Sequence, residues 1–514
     1  MKRIIWIAVP LLLSLAVVGI FKLGKETIMP SEIRVAFPYN KPSKFYEPTR
    51  IHLAPEYIFL ENTYSPLVEV SPRDATLLPG VAENWKWDGE VLALKIRDNL
   101  KTIDGIPVTA KDAEFSLKRV LVRTGNTHGN FQSLVCGADA LKSAEDSCEG
   151  LWAEGNTLFI KIKGKSAFIL PMLSGIDFAI IPKGSVDPKT LDITDYRNTS
   201  GPYFVETDNE EGRIVLKANP NHYHASDDLP ETIRLVPVDK ANKTASLDLF
   251  AKGEVDFITT IDGAKPEDVI SFSRTHSDSV LHTTANIRAI VLVFTERGLK
   301  ELSDNDRRLI GRKVKNALWP YFSKLPGYES ADQYFPTVSY GALDEGTIQN
   351  IKAEQLSGDL ELNGRSLKLT TVRVGDLKAL RPLVENAIPE VHLEEGSNVP
   401  AFSKYEKPED MPHAFIGGPD TGYHEDISLI SYTLVSGTFG MTKEERAAWL
   451  AKYMEIPEQA GRLKMLKSVH EASLRKGVLT PLASCPYVAL SKEGWKIELS
   501  QLFANNPIWL VKRR

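Results

Sequence analysis

The sequence predicts an α/β protein of several intimately joined domains, and three observations carry that prediction. The first is length: 514 residues, at about 150 per domain, leave room for roughly three. The second is composition, with 42% hydrophobic and 25% charged residues, the mixture of a chain that can bury a sizeable core. The third is texture, because from residue 31 onward short strand patterns alternate with amphipathic helix patterns, without repeats or long linkers. The same numbers exclude several classes. A net charge of −5 gives no global basic surface for nucleic acid, a mean hydropathy of −0.19 excludes a polytopic membrane protein, and three cysteines cannot build a disulfide-dense scaffold.

The elements follow in order. Met1-Lys2-Arg3 precedes an uncharged run over 4–21, which has the form of an export signal. The run nearly suffices to span a bilayer and is followed by neither an A-x-A site nor a lipid-accepting cysteine, so it reads as a signal peptide or an uncleaved anchor over 1–30. Cys136 and Cys148 enclose a short polar loop that an oxidising compartment could staple for about 3 kcal/mol, and Cys485 is left over and buried. Residues 90–100 alternate as a hairpin strand after the NWKW segment, and Thr109-x-x-Asp112 caps a helix with Ala113, Leu117, Val120 and Leu121 on one side. Residues 156–173 read as a strand followed by a short helix or loop, and strands are expected at 212–220, 231–238 and 253–261, with a helix over 240–252. Residues 288–296 form a nearly continuous apolar run, the pattern of a strand buried on both sides. A helix starting at an Asp/Ser-rich cap follows it, then a strand over 366–375, a helix, and a strand over 411–420 ending in a glycine turn. Thr442 and Glu445 form a capping box before two helical stretches broken at Pro457, and a loop with short strands closes the chain.

Catalytic signatures are missing. No G-x-S-x-G elbow, H-E-x-x-H, Walker or dinucleotide glycine pattern occurs, so no enzyme is indicated. His222 and His224 are two apart on a turn, and His413 and His424 flank the GGPD turn, but neither pair has a third ligand nearby in sequence. His222 and His224 read as surface histidines on a turn, and metal binding is not expected at His413 and His424.

Residues 79–121 are specific. PGVAENWKWDGEVLALKIRDNLKTIDGIPVTAKDAEFSLKRVL resembles the signature segment of the peptide/nickel-type solute-binding proteins of ABC importers. The matching positions are Pro79, Ala82, Trp85, Arg97-Asp98, Asp104-Gly105, Pro107-Val108-Thr109-Ala110, Asp112, Phe115 and Ser116. The similarity continues in register through 61–70, 200–223 and 246–258 and covers essentially residues 32–510. The resemblance implies a two-lobed periplasmic binding protein fold of type II, in the large three-domain variant with discontinuous lobes joined by a hinge. Lobe I would take 31–70, 185–275 and 471–514, an inserted extra domain 71–184, and lobe II 276–470.

The resemblance further implies a monomer without a cofactor. It would capture a ligand, an oligopeptide in the first instance, and hand it to an ABC permease of the inner membrane. Asp420 and then Asp426 are the positional candidates for the ligand's amino group, although the usual tryptophan of that loop is absent here. Tyr64 and Ser65, Thr259 and Thr260, and Arg288, placed to meet a carboxylate, are the other expected lining residues. A protein anchored in the inner membrane, with a degenerate cleft and a sensing or assembly role, is the alternative. An exported hydrolase would need a nucleophile and base within hydrogen-bond reach in the cleft, and none is expected.

Overall fold

The computed structural model describes residues 31–513 apart from 38–46, 52–53, 125–130, 165–167, 209–213, 239–244, 260–263, 355, 357, 361, 363, 373, 397–406, 419–440, 442 and 503–509. Three sheets organise it. The first has seven strands, in the order Ser279–Thr283, Val488–Lys492, Phe257–Thr259, Glu32–Phe37, Thr232–Pro237, Ile214–Ala218 and Tyr203–Asp208. The second has six, in the order Glu329–Ser330, Leu479–Cys485, Arg288–Phe294, Ala414–Gly417, Leu367–Val372 and Val391–Glu395. The third, a four-stranded antiparallel sheet of Ala82–Asp88, Val91–Ile96, Thr157–Lys161 and Leu151–Glu154, belongs to the extra domain.

Each sheet follows from its residues. In Arg288–Phe294 the alternation is hidden because both sides are buried: Ile290, Leu292 and Phe294 enter one apolar cluster, and Ala289, Val291 and Val293 another. The helix Ala110–Arg123 begins with the expected capping box, Thr109 and Asp112 each satisfying the other's backbone amide. Its Ala113, Leu117, Val120 and Leu121 then join the core behind the four-stranded sheet. The helices Lys443–Glu455 and Gln459–Arg475 separate at Pro457 as the sequence indicates; Thr442 of the expected capping box lies outside the described residues.

The sheets redraw the expected division of the chain. Ser279–Thr283 pairs with Val488–Lys492 in the first sheet, and Leu479–Cys485 pairs with Arg288–Phe294 in the second. The chain therefore changes lobe at 284–287 and 486–487, not at 276 and 471. The expected Cys136–Cys148 bridge is also corrected, since neither sulfur is in a disulfide. Backbone bonds already close that loop, from Gly150 N–H to the Cys136 carbonyl (2.8 Å) and from Cys136 N–H to that of Lys161 (3.0 Å). The Cys148 thiol turns to the Cys136 carbonyl at 3.4 Å instead of toward its sulfur. Cys485 is fully buried beside Leu482, as expected. No helix among the described residues is long and apolar enough to cross a membrane, and the run over 4–21 lies outside them.

Candidate functional site

The site is placed by strand direction. In the first sheet Glu32–Phe37 is parallel to Thr232–Pro237 and to Phe257–Thr259. Ser279–Thr283 shares that direction, because it and Phe257–Thr259 are both antiparallel to Val488–Lys492. All four end at one edge. In the second sheet Leu367–Val372, Val391–Glu395 and Ala414–Gly417 are parallel, and the antiparallel Arg288–Phe294 starts where they end. The crossover over 284–287 leaves the carboxyl edge of one sheet and enters at the carboxyl edge of the other, so these two edges flank the hinge. Ligands of open α/β sheets bind outside the carboxyl ends of the strands.

The two crossovers are fastened together. Thr284 N–H donates to the Tyr487 carbonyl at 3.0 Å, and Tyr487 N–H donates to Thr284 Oγ1 at 2.9 Å. Gln501 clasps the same point, accepting from Ala285 N–H at 2.6 Å and donating to the Thr283 carbonyl at 3.3 Å. Such a hinge confines the motion to a few backbone torsions.

The expected lining residues divide. Thr259 ends its strand at the first carboxyl edge with its side chain buried, and Arg288 opens its strand at the second. The Arg288 Nη2 lies 3.5 Å from the Gly418 carbonyl. A Cβ on Gly418 would come within 3.0 Å of Arg288 Nε, so glycine at this turn leaves the guanidinium its place. Thr260, Asp420 and Asp426 lie outside the described residues, although Gly418 brings Arg288 to the start of the segment that carries both aspartates.

Tyr64 and Ser65 lie elsewhere than the two strand-end residues. Both are buried at the junction of the first lobe with the extra domain, Tyr64 inside the first-lobe core. Ser65 Oγ is 3.0 Å from His222 Nε2. His222 is likewise buried, contrary to its reading as a surface histidine.

The Ser65–His222 contact is the nucleophile–base geometry that a hydrolase would need, and its chemistry is inverted. His224 N–H donates to His222 Nδ1 at 3.1 Å, so in the neutral ring the proton sits on Nε2 and is donated to Ser65. Burial holds the His222 pKa well below its ordinary value and keeps the ring neutral. An imidazole already donating to the hydroxyl cannot take its proton. The neighbouring His224 is engaged by Glu69 at 2.9 Å, and among the described residues no group of three or more side chains is arranged to hold a metal.

The signature residues turn out to be joinery. Asp104 accepts from Arg197 Nε (3.1 Å) and Asn198 Nδ2 (3.0 Å); Asp112 accepts from Lys183 N–H (2.8 Å); Ser116 Oγ accepts from Ile181 N–H (2.8 Å). From the other side Asn219 and Asn221 donate to the carbonyls of Lys101 (2.9 Å) and Thr102 (3.0 Å). Arg97 donates to the Gly80 carbonyl at 2.7 Å and lies over the Tyr223 ring, whose hydroxyl donates to Glu69 at 2.5 Å. Of these, the bonds of Asp104 to Arg197 and Asn198, those of Asn219 and Asn221 to Lys101 and Thr102, and the contact of Arg97 with Tyr223 fix the extra domain to the first lobe, while the others brace each part internally.

One further candidate emerges only in three dimensions. Glu61 lies one turn from the exposed Tyr57 on the helix Ala54–Thr63, which follows the first strand's carboxyl end. Burial pushes its carboxyl up to about 8. As one of 67 acids in the chain it carries no signal in the sequence.

Comparison with known proteins agrees with this architecture. Residues 76–318 match the bacterial extracellular solute-binding proteins, family 5, middle region. The chain is 26% identical over 322 residues to the dipeptide-binding protein of Lactococcus lactis, covering 56% of this chain and 57% of that protein. It is 24% identical over 219 residues to the periplasmic oligopeptide-binding protein OppA of Escherichia coli, covering 41% and 40%. The match thus spans about half the length of these relatives. In fold the likeness is broader. OppA of Haemophilus influenzae, in complex with RPPGFSPFR, superposes with a TM-score of 0.70 at 15% identity over 94% of this chain and 99% of that one. This chain is thus similar in sequence, through its middle region, to the peptide/nickel-type solute-binding proteins of ABC importers, and has the two-lobed fold of the solved structures over nearly its whole length.

Proposed function

We propose that this protein is an exported, non-enzymatic solute-binding protein that encloses a peptide between its lobes and delivers it to an ABC permease. The observation that carries the reading is the pair of carboxyl edges flanking a hydrogen-bonded double crossover, in a chain related to dipeptide- and oligopeptide-binding proteins. In this reading Arg288 meets the peptide's carboxylate, Asp420 or Asp426 its amino group, and Thr259 and Thr260 its backbone. The basic, apolar N-terminus supports export to the periplasm, with or without a retained anchor. The protein works as a monomer and needs no cofactor.

Native mass spectrometry of the purified full chain tests the proposal directly. A co-purifying adduct that fragments as a peptide and is lost on unfolding is expected. Failure to acquire mass from a mixture of di- to pentapeptides would refute it. Arg288→Gln removes a charge-assisted pair, so about 30-fold weaker peptide binding in calorimetry is expected, with the melting temperature unchanged.

A further inference from the structure

The extra domain touches both lobes, and the two contacts differ in kind. Toward the first lobe it is held by buried, directional bonds. Ile180 N–H donates to the Ser65 carbonyl at 2.9 Å, and Ser200 Oγ donates to the Ile180 carbonyl, beside the crossing signature contacts already described. Separating these would orphan buried polar groups at about 1–3 kcal/mol each, so the two move as one body.

Toward the second lobe the extra domain meets side chains. The Phe168 ring is met edge-on by Tyr453, with centroids 6.4 Å apart, and Trp449 stacks on Tyr453 at 5.2 Å. Phe168, Met172, Tyr453 and Met454 are all nearly or fully buried, in an apolar cluster that runs from the extra domain into the second lobe. Tyr340 Oη adds one bond, to the Asp74 carbonyl at 3.2 Å. Apolar contact of this kind is non-directional.

The hinge leaves the first sheet at the edge formed by Ser279–Thr283 and Val488–Lys492. The extra domain is fixed beside the opposite edge, at the ends of the hairpin Tyr203–Asp208 and Ile214–Ala218. Six inter-strand steps separate those edges, roughly 29 Å at the usual spacing. The extra domain is thus anchored to the first lobe far from the hinge.

We propose that the edge of the extra domain around Phe168 and the helix Lys443–Glu455 form an apolar latch that favours the closed arrangement and sets how readily the cleft opens. The latch rests on the solute-binding reading for its purpose but not for its mechanics. It touches no expected ligand-lining residue, so it tunes affinity through the cost of opening rather than through recognition.

Hydrogen exchange on the full chain in detergent, followed by mass spectrometry, tests it. Tyr453→Ala should speed exchange of the amides at 168–173, in the other domain, by about tenfold, while Tyr453→Phe leaves them protected. The reverse variant, Phe168→Ala, should expose 447–455 in the same way and covers the case in which Tyr453→Ala does not fold. Unchanged protection across the contact in both alanine variants would overturn the latch. With a tri- to pentapeptide mixture as probe, dissociation from Tyr453→Ala should be about tenfold faster. If no peptide binds even the wild-type chain, the solute-binding reading falls while the exchange arm still decides the latch.

Discussion

The junction between first lobe and extra domain and the cleft between the two lobes are built on opposite plans. The junction is dense with side-chain hydrogen bonds made by polar residues in or beside the signature segments, such as Asp104 with Arg197 and Asn198, or Asn221 with Thr102. The cleft is framed by strand ends whose partners come from distant parts of the chain, as when Arg288 pairs with Cys485. The difference teaches where recognisable sequence resides. Motif residues stabilise the scaffold on which the ligand-facing edges are mounted, and so a strong family likeness says little about the ligand.

Crowding the first-lobe side of the junction should cost the most. Gly201 lies against the Thr63 backbone with no room for a Cβ. Gly201→Val should lower stability by about 3 kcal/mol or more, read as a fall in the denaturation midpoint. A midpoint within error of wild type would show that the junction gives way more easily than its packing indicates.

Acid should act on buried histidines far from the ligand-facing edges. His470 is fully buried in the second lobe, accepting from Tyr334 N–H at 3.0 Å and donating to the Gly341 carbonyl at 3.1 Å, and burial lowers its pKa to about 4. Its folded pKa is below the unfolded value near 6.5, so between those values the unfolded chain binds more protons. The stabilising contribution is whole above about pH 6.5 and is lost as pH falls toward 4, by about 3 kcal/mol. His222 adds loss of the same sign at the junction. His470→Gln should flatten the melting-temperature profile between pH 7 and 4; an unchanged slope would assign the acid sensitivity to other groups.

The smallest effect sharpens the comparison most. Ser65→Ala deletes the acceptor of His222 and should cost about 1–2 kcal/mol of stability, while leaving peptide affinity unchanged in calorimetry. Loss of affinity at unchanged stability would return Ser65 to the cleft.

Much of the architecture was legible, for local physical reasons. The capping box at Thr109, the doubly buried strand at 288–294 and the break at Pro457 each depend on neighbours a few residues apart. What was not legible depends on pairing at long range. Leu479–Cys485 has a strand's composition in either lobe, and only its partners near residue 290 assign it to the second sheet. His222 looks exposed on its turn until Ser65, 157 positions away, is packed over it. The expected Cys136–Cys148 bridge was a matter of loop length, whereas the backbone had already closed the loop. Of the candidate site, the positions of Arg288 and Thr259 at strand ends were readable, whereas the burial of Tyr64 and Ser65 behind a helix end was not.

The direction of the first strand has a practical consequence. Glu32–Phe37 runs toward the cleft, so the polypeptide enters the first lobe at the back of the sheet, about 20 Å behind the ligand-facing edge. Whatever is joined ahead of residue 31, whether a lipid bilayer, a bead or a sensor chip, is thereby attached opposite the mouth. Immobilising the protein through its N-terminus should leave capture and release unobstructed, while a handle at 284–287 would sit on the moving joint itself.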